Sequence, residues 1–141
     1  RRTANGVDYN RLLLISAVLS RRVGLRLFEQ DVFASVVGGL QVQEPAADLA
    51  VAVAIASSVR DQPVKADTAV IGEVGLSGEV RTVSHTASRL KEAARLGFKR
   101  CLLPKSVRAH DCVRAQDKVS ADGIQVLPVR SVAQAIEKAL A

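Results

Sequence analysis

The spacing of apolar residues predicts a first helix near the start of the chain. It runs from Tyr9 to about Arg22, because Asp8 is a good capping residue and Gly24 a good terminator. Its apolar positions recur every three or four residues, at Leu12, Ile15, Leu19 and Val23. This spacing indicates that one face of the helix packs on a core.

A second helix is predicted from Ala46 to Arg60, with Pro45 at its first turn, where proline is tolerated. Its residues are apolar almost all round, which is typical of a helix buried on every side. We therefore expect it at the centre of the domain. Two more helices are predicted at Ser84–Leu96, which stops at Gly97, and at Ser131–Leu140.

Between these helices, runs in which apolar and polar residues alternate, and runs of β-branched residues, predict strands. Asp31–Val37 is expected to turn at Gly38-Gly39 into a return strand, Leu40–Gln43. A second hairpin is expected from Thr68–Val74 through the turn Gly75–Gly78 into Glu79–Val83, and single strands at Phe98–Leu103 and Ile124–Leu127. Strands that alternate with helices predict an α/β fold with a mixed sheet.

Composition fits one domain over residues 1–141, since 48% of the residues are hydrophobic and 24% charged. No apolar run is long enough to span a membrane. The chain contains no methionine and starts Arg1-Arg2-Thr3, so we expect a piece of a longer protein, with no secretory signal. Two cysteines, Cys101 and Cys112, suit a reducing compartment, and we expect a cytoplasmic protein.

No pattern in the sequence predicts a bound metal or cofactor. His110 lies near the two cysteines, but neither a C-x-x-C pair nor a second pair at zinc spacing is present. The glycine-rich run Gly72–Gly78 joins two strands, whereas a phosphate-binding loop joins a strand to a helix. His85 could act as a general base only with a partner, and the sequence offers none. The simpler interpretation is that His85 belongs to the turn that caps the start of the helix.

The net charge of +6 and the pI of about 9.9 favour an anionic partner, nucleic acid first. Aromatic residues make up only 3% of the chain, which disfavours base stacking on exposed rings. Contacts to DNA should therefore be mostly contacts to phosphate.

Three blocks resemble a known family: Val70–Val80, Arg89–Ala94 and Gly97–Pro104. In this order and spacing they resemble the proteolytic domain of Lon, and more closely the Lon-like carboxy-terminal domain of the bacterial RadA (Sms) DNA-repair proteins. Four further segments also resemble the RadA form: Asn10–Leu14, Asp31–Phe33, Gly38-Gly39 and Asp48–Ala50. The resemblance implies a Lon-type proteolytic-domain fold.

Lon-type peptidases use a serine in a Gly-Pro-Ser-Ala-Gly run and a lysine near the start of the helix after the glycine hairpin. The first run reads Glu44-Pro45-Ala46-Ala47-Asp48 here, so Ala46 takes the serine's place, and Arg89 takes the lysine's place. Alanine has no nucleophilic oxygen, and arginine stays protonated. For Ser57, Ser58 or Ser77 to replace the missing nucleophile, a partner base would be needed, and the sequence offers none. We expect a degenerate site and no catalytic residue.

The resemblance also implies a parent protein with a zinc finger and a RecA-like ATPase core, both absent from this chain. ATP, Mg and Zn would belong to that parent, and this chain would carry no cofactor. The family forms hexameric rings and drives branch migration of recombination intermediates, with a RecA-type recombinase as a possible partner. The tail would then be a scaffold for the homo-oligomer and a surface that contacts DNA.

Two basic stretches are candidate DNA contacts, one around the third predicted helix and one near the first. Lys91 and Arg95 share a helix face, and Arg89 is expected to point toward a groove because it occupies a former catalytic position. The full candidate set is Arg11, Arg22, Arg89, Lys91, Arg95, Lys99, Arg100 and Lys105. The alternatives are a solvated helix face, a ring-assembly domain without DNA contact, and an active Ser/Lys peptidase.

Overall fold

The structure, a computed structural model, describes residues 1–105 and 123–141. Its helices are α1 (Tyr9–Val18), α2 (Asp48–Arg60), α3 (Thr86–Arg95) and α4 (Val132–Ala139). Its strands are β1 (Arg2–Asn5), β2 (Val32–Ser35), β3 (Thr68–Val70), β4 (Glu73–Val74), β5 (Val80–Arg81), β6 (Arg100–Pro104) and β7 (Gln125–Val129). Within those two ranges, no helix has the length and hydropathy needed to cross a membrane.

The centre of the fold is a parallel sheet of three strands in the order β3-β6-β7. Side chains alternate across it, so Leu102 of β6 packs into one core with α1, α2 and α4, whereas Cys101 and Leu103 pack into a second core with α3. The sheet is therefore covered by helices on both faces, which confirms the predicted α/β fold.

Helix α1 begins where the sequence predicts. The Asp8 side chain accepts a hydrogen bond of 2.9 Å from the Arg11 N–H, and Leu12 and Ile15 are fully buried. The helix widens into a single π-helical turn, Leu19–Val23, which ends at Gly24 with φ 81°. The predicted end near Arg22 is thus confirmed, and the left-handed residue after it is glycine for the expected steric reason.

The first predicted hairpin is wrong. Strand β2 pairs in parallel with β1, a strand that the apolar pattern did not reveal, and the chain does not return along β2 after Gly39. Instead, Val42 forms a parallel bridge with Val7, with its N–H donating to the Gly6 carbonyl at 2.7 Å. Strand β1 thus pairs with β2 in place of the expected return strand.

Helix α2 lies at the centre, as predicted, and starts from a 3₁₀ turn at Pro45–Ala47. Leu49, Ala52 and Ala56 are fully buried. The prediction that all sides are buried is wrong, because Ala54 is exposed and the neighbouring turns leave Val51 half-buried. One aliphatic side of α2 therefore faces a groove rather than the core.

The second hairpin, β4–β5, is confirmed, although the expected strand Thr68–Val74 is interrupted before it. At the interruption, the Gly72 N–H donates to the Ala46 carbonyl at 2.9 Å and the Gly72 carbonyl accepts from the Leu49 N–H at 3.0 Å. A Cβ on Gly72 would lie 2.8 Å from Val80 Cγ1 and 3.2 Å from Leu49 Cδ2. Glycine at this position lets the start of α2 dock against the end of β3.

We expect Gly72→Ala to lower the free energy of unfolding by about 1–3 kcal/mol, because the new methyl group overpacks the junction. Urea unfolding followed by circular dichroism measures the loss. Val80→Ala removes the closest opposing atom, so the double variant should lose less stability than the sum of the two single losses. Additive losses would contradict this account of Gly72.

Candidate functional site

Ala46, which stands in the place of the Lon nucleophile, lies in the 3₁₀ turn that starts α2. It is only 5% exposed and packs in the second core with Ile71 and Leu90. Its carbonyl is occupied by the Gly72 N–H. The position is thus the packed start of a helix, with only a methyl group as its side chain.

Arg89, in the place of the Lon lysine, reaches from α3 back toward that turn. Its Nε donates to the Ser84 carbonyl at 2.9 Å, and its Nη2 lies 3.3 Å from the Glu44 carboxylate. The side chain is 27% exposed. It therefore ties α3 to the residue just before the Pro45–Ala47 turn.

Asp48 opens α2 on the other side of Ala46 and is 4% exposed. Its carboxylate accepts from both the Nε and Nη2 of Arg11 and, at 3.2 Å, from the Val74 N–H. Glu73 lies 3.8 Å from the same guanidinium. The hydrogen bond to Asp48 raises the pKa of Arg11, and these contacts supply the partners that a buried carboxylate requires.

The two carboxylates stand at the glycine positions of the Lon serine run, and each is paired with an arginine. Glu44 holds Arg89, and Asp48 holds Arg11. The sequence analysis missed this pairing, although an acid at each glycine position together with an arginine at the lysine position was a readable signal. The former catalytic region is therefore an electrostatic brace between α1, α2 and α3.

The other candidate catalytic side chains lie away from this brace or already have hydrogen-bond partners. His85 sits exposed before α3 with φ 60° and caps no helix N–H through its side chain. The Ser57 hydroxyl donates to the Gln62 carbonyl at 2.6 Å, near the far end of α2. The Ser77 N–H donates to Glu79. None of these contacts builds a nucleophile–base pair.

The candidate DNA-contacting residues differ in whether their side chains already have partners inside the domain. Arg11 and Arg100 are internal: Arg11 pairs with Asp48, and Arg100 donates to Thr68 Oγ1 at 3.3 Å and the Lys138 carbonyl at 3.4 Å. Arg95 pairs with Glu92 on the surface of α3, and this pair lowers the pKa of Glu92 and raises that of Arg95. These three side chains are engaged within the domain.

The lysines of the set are exposed, and over residues 1–105 and 123–141 no carboxylate pairs with Lys91, Lys99 or Lys105. They do not form one cluster. Lys99 precedes β6 and Lys105 follows it, so the two are separated by about 20 Å along the strand. The sequence placed them together only because they are close in the chain.

Three basic residues lie on neighbouring segments at the carboxyl end of the parallel sheet. The Lys105 N–H bonds the Val129 carbonyl, and the next residue, Arg130, accepts from the Val80 N–H, both at 2.9 Å. Arg22 packs beside Gly78 of the neighbouring hairpin, which bonds Val132. We call Arg22, Lys105 and Arg130 the carboxyl-end basic cluster.

The described part of the chain provides no carboxylate partner for the carboxyl-end basic cluster. The carboxylate of Glu79, in the same hairpin, already has partners. The backbone N–H groups of Glu79 itself and of Ser77, followed by the Arg81 side chain, hold the pKa of Glu79 below its ordinary value. The sequence analysis missed Arg130. Its position after a parallel strand, matching that of Lys105, was the available signal, because strand carboxyl ends gather at one edge.

The metal candidates are only partly described. Cys101 is buried in β6, and His110 and Cys112 lie outside the described residues. Among the residues that are described, no three His, Cys, Asp or Glu side chains are grouped in a way that could hold a metal ion.

The ion pairs of the brace predict that substitutions of two arginines lower the free energy of unfolding by different amounts. Arg11→Leu leaves the buried Asp48 carboxylate without its main partner and should cost about 3 kcal/mol of unfolding free energy. Arg26→Leu breaks an exposed pair with Glu29 at 3.9 Å and should cost less than about 0.5 kcal/mol. Denaturant unfolding of the two variants checks this, and equal losses would contradict the role given to Asp48.

Comparison with known proteins places this geometry in a family. The family described as Lon protease (S16) C-terminal proteolytic domain matches residues 26–141. The chain is 46% identical over 140 residues, 99% of its length, to "DNA repair protein RadA" of Listeria monocytogenes, and 46% identical over the same length to the protein of that name in Synechocystis sp.. In Bacillus subtilis, the protein of that name is also 46% identical over 140 residues.

The chain covers 29% of the Listeria and Bacillus relatives and 26% of the Synechocystis relative. It thus spans between a quarter and a third of these DNA-repair proteins. The match includes the turn with Ala46, the β4–β5 hairpin and helix α3. The chain belongs to the Lon proteolytic-domain family, as a Lon-like C-terminal domain of the RadA type.

Proposed function

We propose that this chain is the assembly and DNA-binding domain of a RadA-type DNA-repair protein and has no peptidase activity. The observation that carries the DNA-binding part is the carboxyl-end basic cluster, three exposed cations without a carboxylate partner in the described chain. Such cations contact phosphates without reading sequence, which suits a protein that acts along any DNA.

The proposed DNA surface differs from the candidate set drawn from the sequence. Arg11 and Arg100 are removed from it, because their side chains hold the domain together. Arg22 and Lys105 remain and Arg130 joins them, whereas Lys91 and Lys99 form a separate, secondary region beside α3. Arg89 keeps a structural role in the pair with Glu44.

The wider role proposed for the parent follows from its relatives, which are DNA-repair proteins. In this proposal, the parent is a DNA-dependent ATPase that drives branch migration on recombination intermediates in the cytoplasm. It forms a hexameric ring, works with a RecA-type recombinase, and holds ATP, Mg and Zn in its other domains. This domain helps to build the ring and presents its basic edge to DNA.

Three matched double variants locate the DNA surface: Arg22→Gln with Arg130→Gln, Lys91→Gln with Lys99→Gln, and Arg60→Gln with Lys65→Gln. Each removes two positive charges. Arg60 ends α2, about 20 Å from its start, and the Lys65 N–H bonds Ala139, so the third pair lies at the opposite end of the domain and serves as the control.

We expect the first pair to lower the slope of log affinity against log salt by about 1.8, since each phosphate contact contributes about 0.9. The control should leave the slope unchanged, and random duplexes should behave alike. Fluorescence anisotropy across a salt series measures the slopes. Equal effects of the first and control pairs would mean that only net charge matters. No DNA binding at low salt would favour the purely structural ring-assembly domain.

The absence of peptidase activity is tested with an unfolded protein substrate labelled with fluorescein. The unaltered protein should release no more label than buffer alone, because position 46 lacks a nucleophile. Ala46→Ser with Arg89→Lys should stay silent too, because the Glu44 carboxylate favours the protonated, non-basic form of a lysine at position 89. Turnover by the unaltered protein would overturn the proposal, and turnover by the double variant would refute the explanation through Glu44.

A further inference from the structure

The turn of the β4–β5 hairpin carries an apolar side chain at its tip. The Gly78 N–H donates to the Gly75 carbonyl at 2.9 Å, which closes a four-residue turn with Leu76 and Ser77 at its centre. Gly75 and Gly78 are buried, whereas Leu76 is 71% exposed. Turns favour glycine, proline and small polar residues, so this turn does not require a leucine. Among the described residues, neither apolar core includes Leu76.

A single exposed leucine is common on protein surfaces, and it is the rigid support of Leu76 that distinguishes it. The Gly75 N–H donates to the Glu79 carbonyl at 3.0 Å, and the Ser77 N–H donates to the Glu79 carboxylate at 3.1 Å. Arg81 lies 3.3 Å from that carboxylate, so the negative charge is balanced within the hairpin. The backbone that carries Leu76 is already ordered, and little conformational entropy is lost when the side chain contacts a ligand.

The hairpin contacts two members of the carboxyl-end basic cluster. The Val80 N–H donates to the Arg130 carbonyl at 2.9 Å. The Arg22 stem packs on the turn itself, because a Cβ on Gly78 would lie 3.0 Å from Arg22 Cβ and 3.2 Å from Arg22 Cγ. Leu76 is two residues from Gly78, so the Cα atoms of the two lie within about 7 Å of each other. The exposed leucine is therefore held next to cations that would contact phosphate.

The pairing of a basic surface with one rigid apolar side chain selects among ligands. Over residues 1–105 and 123–141, the cluster has no carboxylate partner, and such cations attract phosphates. A leucine gains nothing from a phosphate, but it is stabilised when it lies between bases. Proteins that kink a duplex insert apolar side chains, leucine included, between base steps in this way. The cost of opening a step is lowest where its stacking or pairing is already interrupted.

We propose that Leu76 is a wedge, a side chain that enters a base step with interrupted stacking while the carboxyl-end basic cluster holds the flanking phosphates. The inference rests on the proposed DNA-binding function and adds a preferred substrate to it: a duplex that contains a mismatch, rather than a continuous duplex. Leucine has no hydrogen-bonding group, so the preference depends on the weakened step and not on the identity of its bases.

The test compares two duplexes of the same length, one continuous and one with a central T·T mismatch. Both carry 2-aminopurine beside the central position, and the fluorescence of this base rises when it leaves the stack. Fluorescence anisotropy of an end label measures affinity. The unaltered protein should bind the mismatched duplex about tenfold more tightly and should raise its 2-aminopurine fluorescence.

Three variants at exposed leucines locate the wedge. Leu76→Ser should bind both duplexes equally without a rise in 2-aminopurine fluorescence, and its salt slope should not change because the phosphate contacts remain. Leu76→Phe keeps a large apolar side chain and should keep the preference. Leu96→Ser is the matched control, since Leu96 is 61% exposed and follows α3, and it should behave as the unaltered protein. Equal urea midpoints of the two serine variants show that both are folded.

The outcomes separate the wedge from the DNA-binding proposal. Equal affinity of the unaltered protein for the two duplexes, or an unchanged preference in Leu76→Ser, overturns the wedge, while a normal salt slope still supports DNA binding. Loss of the preference in Leu96→Ser also overturns it, because any exposed leucine would then act alike. No DNA binding at low salt overturns both proposals. If Leu76→Ser changes the sedimentation of the protein but not the preference, Leu76 belongs to a contact between copies of the chain.

Discussion

The fold depends on one buried carboxylate, that of Asp48. It lies at the start of the central helix, where it accepts from Arg11 of α1 and from the backbone of Val74 in the β4–β5 hairpin. A carboxylate this deeply buried is costly without such partners, so it fixes the positions of all three elements relative to one another. The two hydrogen bonds between Gly72 and the start of α2 complete the same junction.

This junction explains how a peptidase scaffold accommodates a changed site. A nucleophile–base pair needs a neutral base near a hydroxyl, and a flexible glycine on each side allows a substrate backbone to approach. Here carboxylates stand at both glycine positions, and each is satisfied by an arginine. The charges balance locally, so the ion pairs hold the start of α2 against α1 and α3. Glu44 and Arg89 pair with each other, and Asp48 pairs with Arg11.

The sequence predicts the elements well wherever local patterning decides the structure. Asp8 and Gly24 delimit the first helix, and Gly75–Gly78 forms the second hairpin, because caps and turns depend on neighbouring residues. The first hairpin is mispredicted because strand pairing is a long-range choice: β2 pairs with β1, which has no distinctive pattern. The same limit applies to the basic residues. Lys99 and Lys105 are close in the chain but lie at opposite ends of β6, whereas Arg22 and Arg130 are brought to one edge only by the fold.

The resulting surface separates two charges that composition alone averages into a net +6. Over residues 1–105 and 123–141, the cations at the carboxyl end of the parallel sheet have no carboxylate partner, while the carboxylates of Asp31, Glu44 and Asp48 are each paired with a cation. The brace around Asp48 fixes α1, α2 and the β4–β5 hairpin as a single unit.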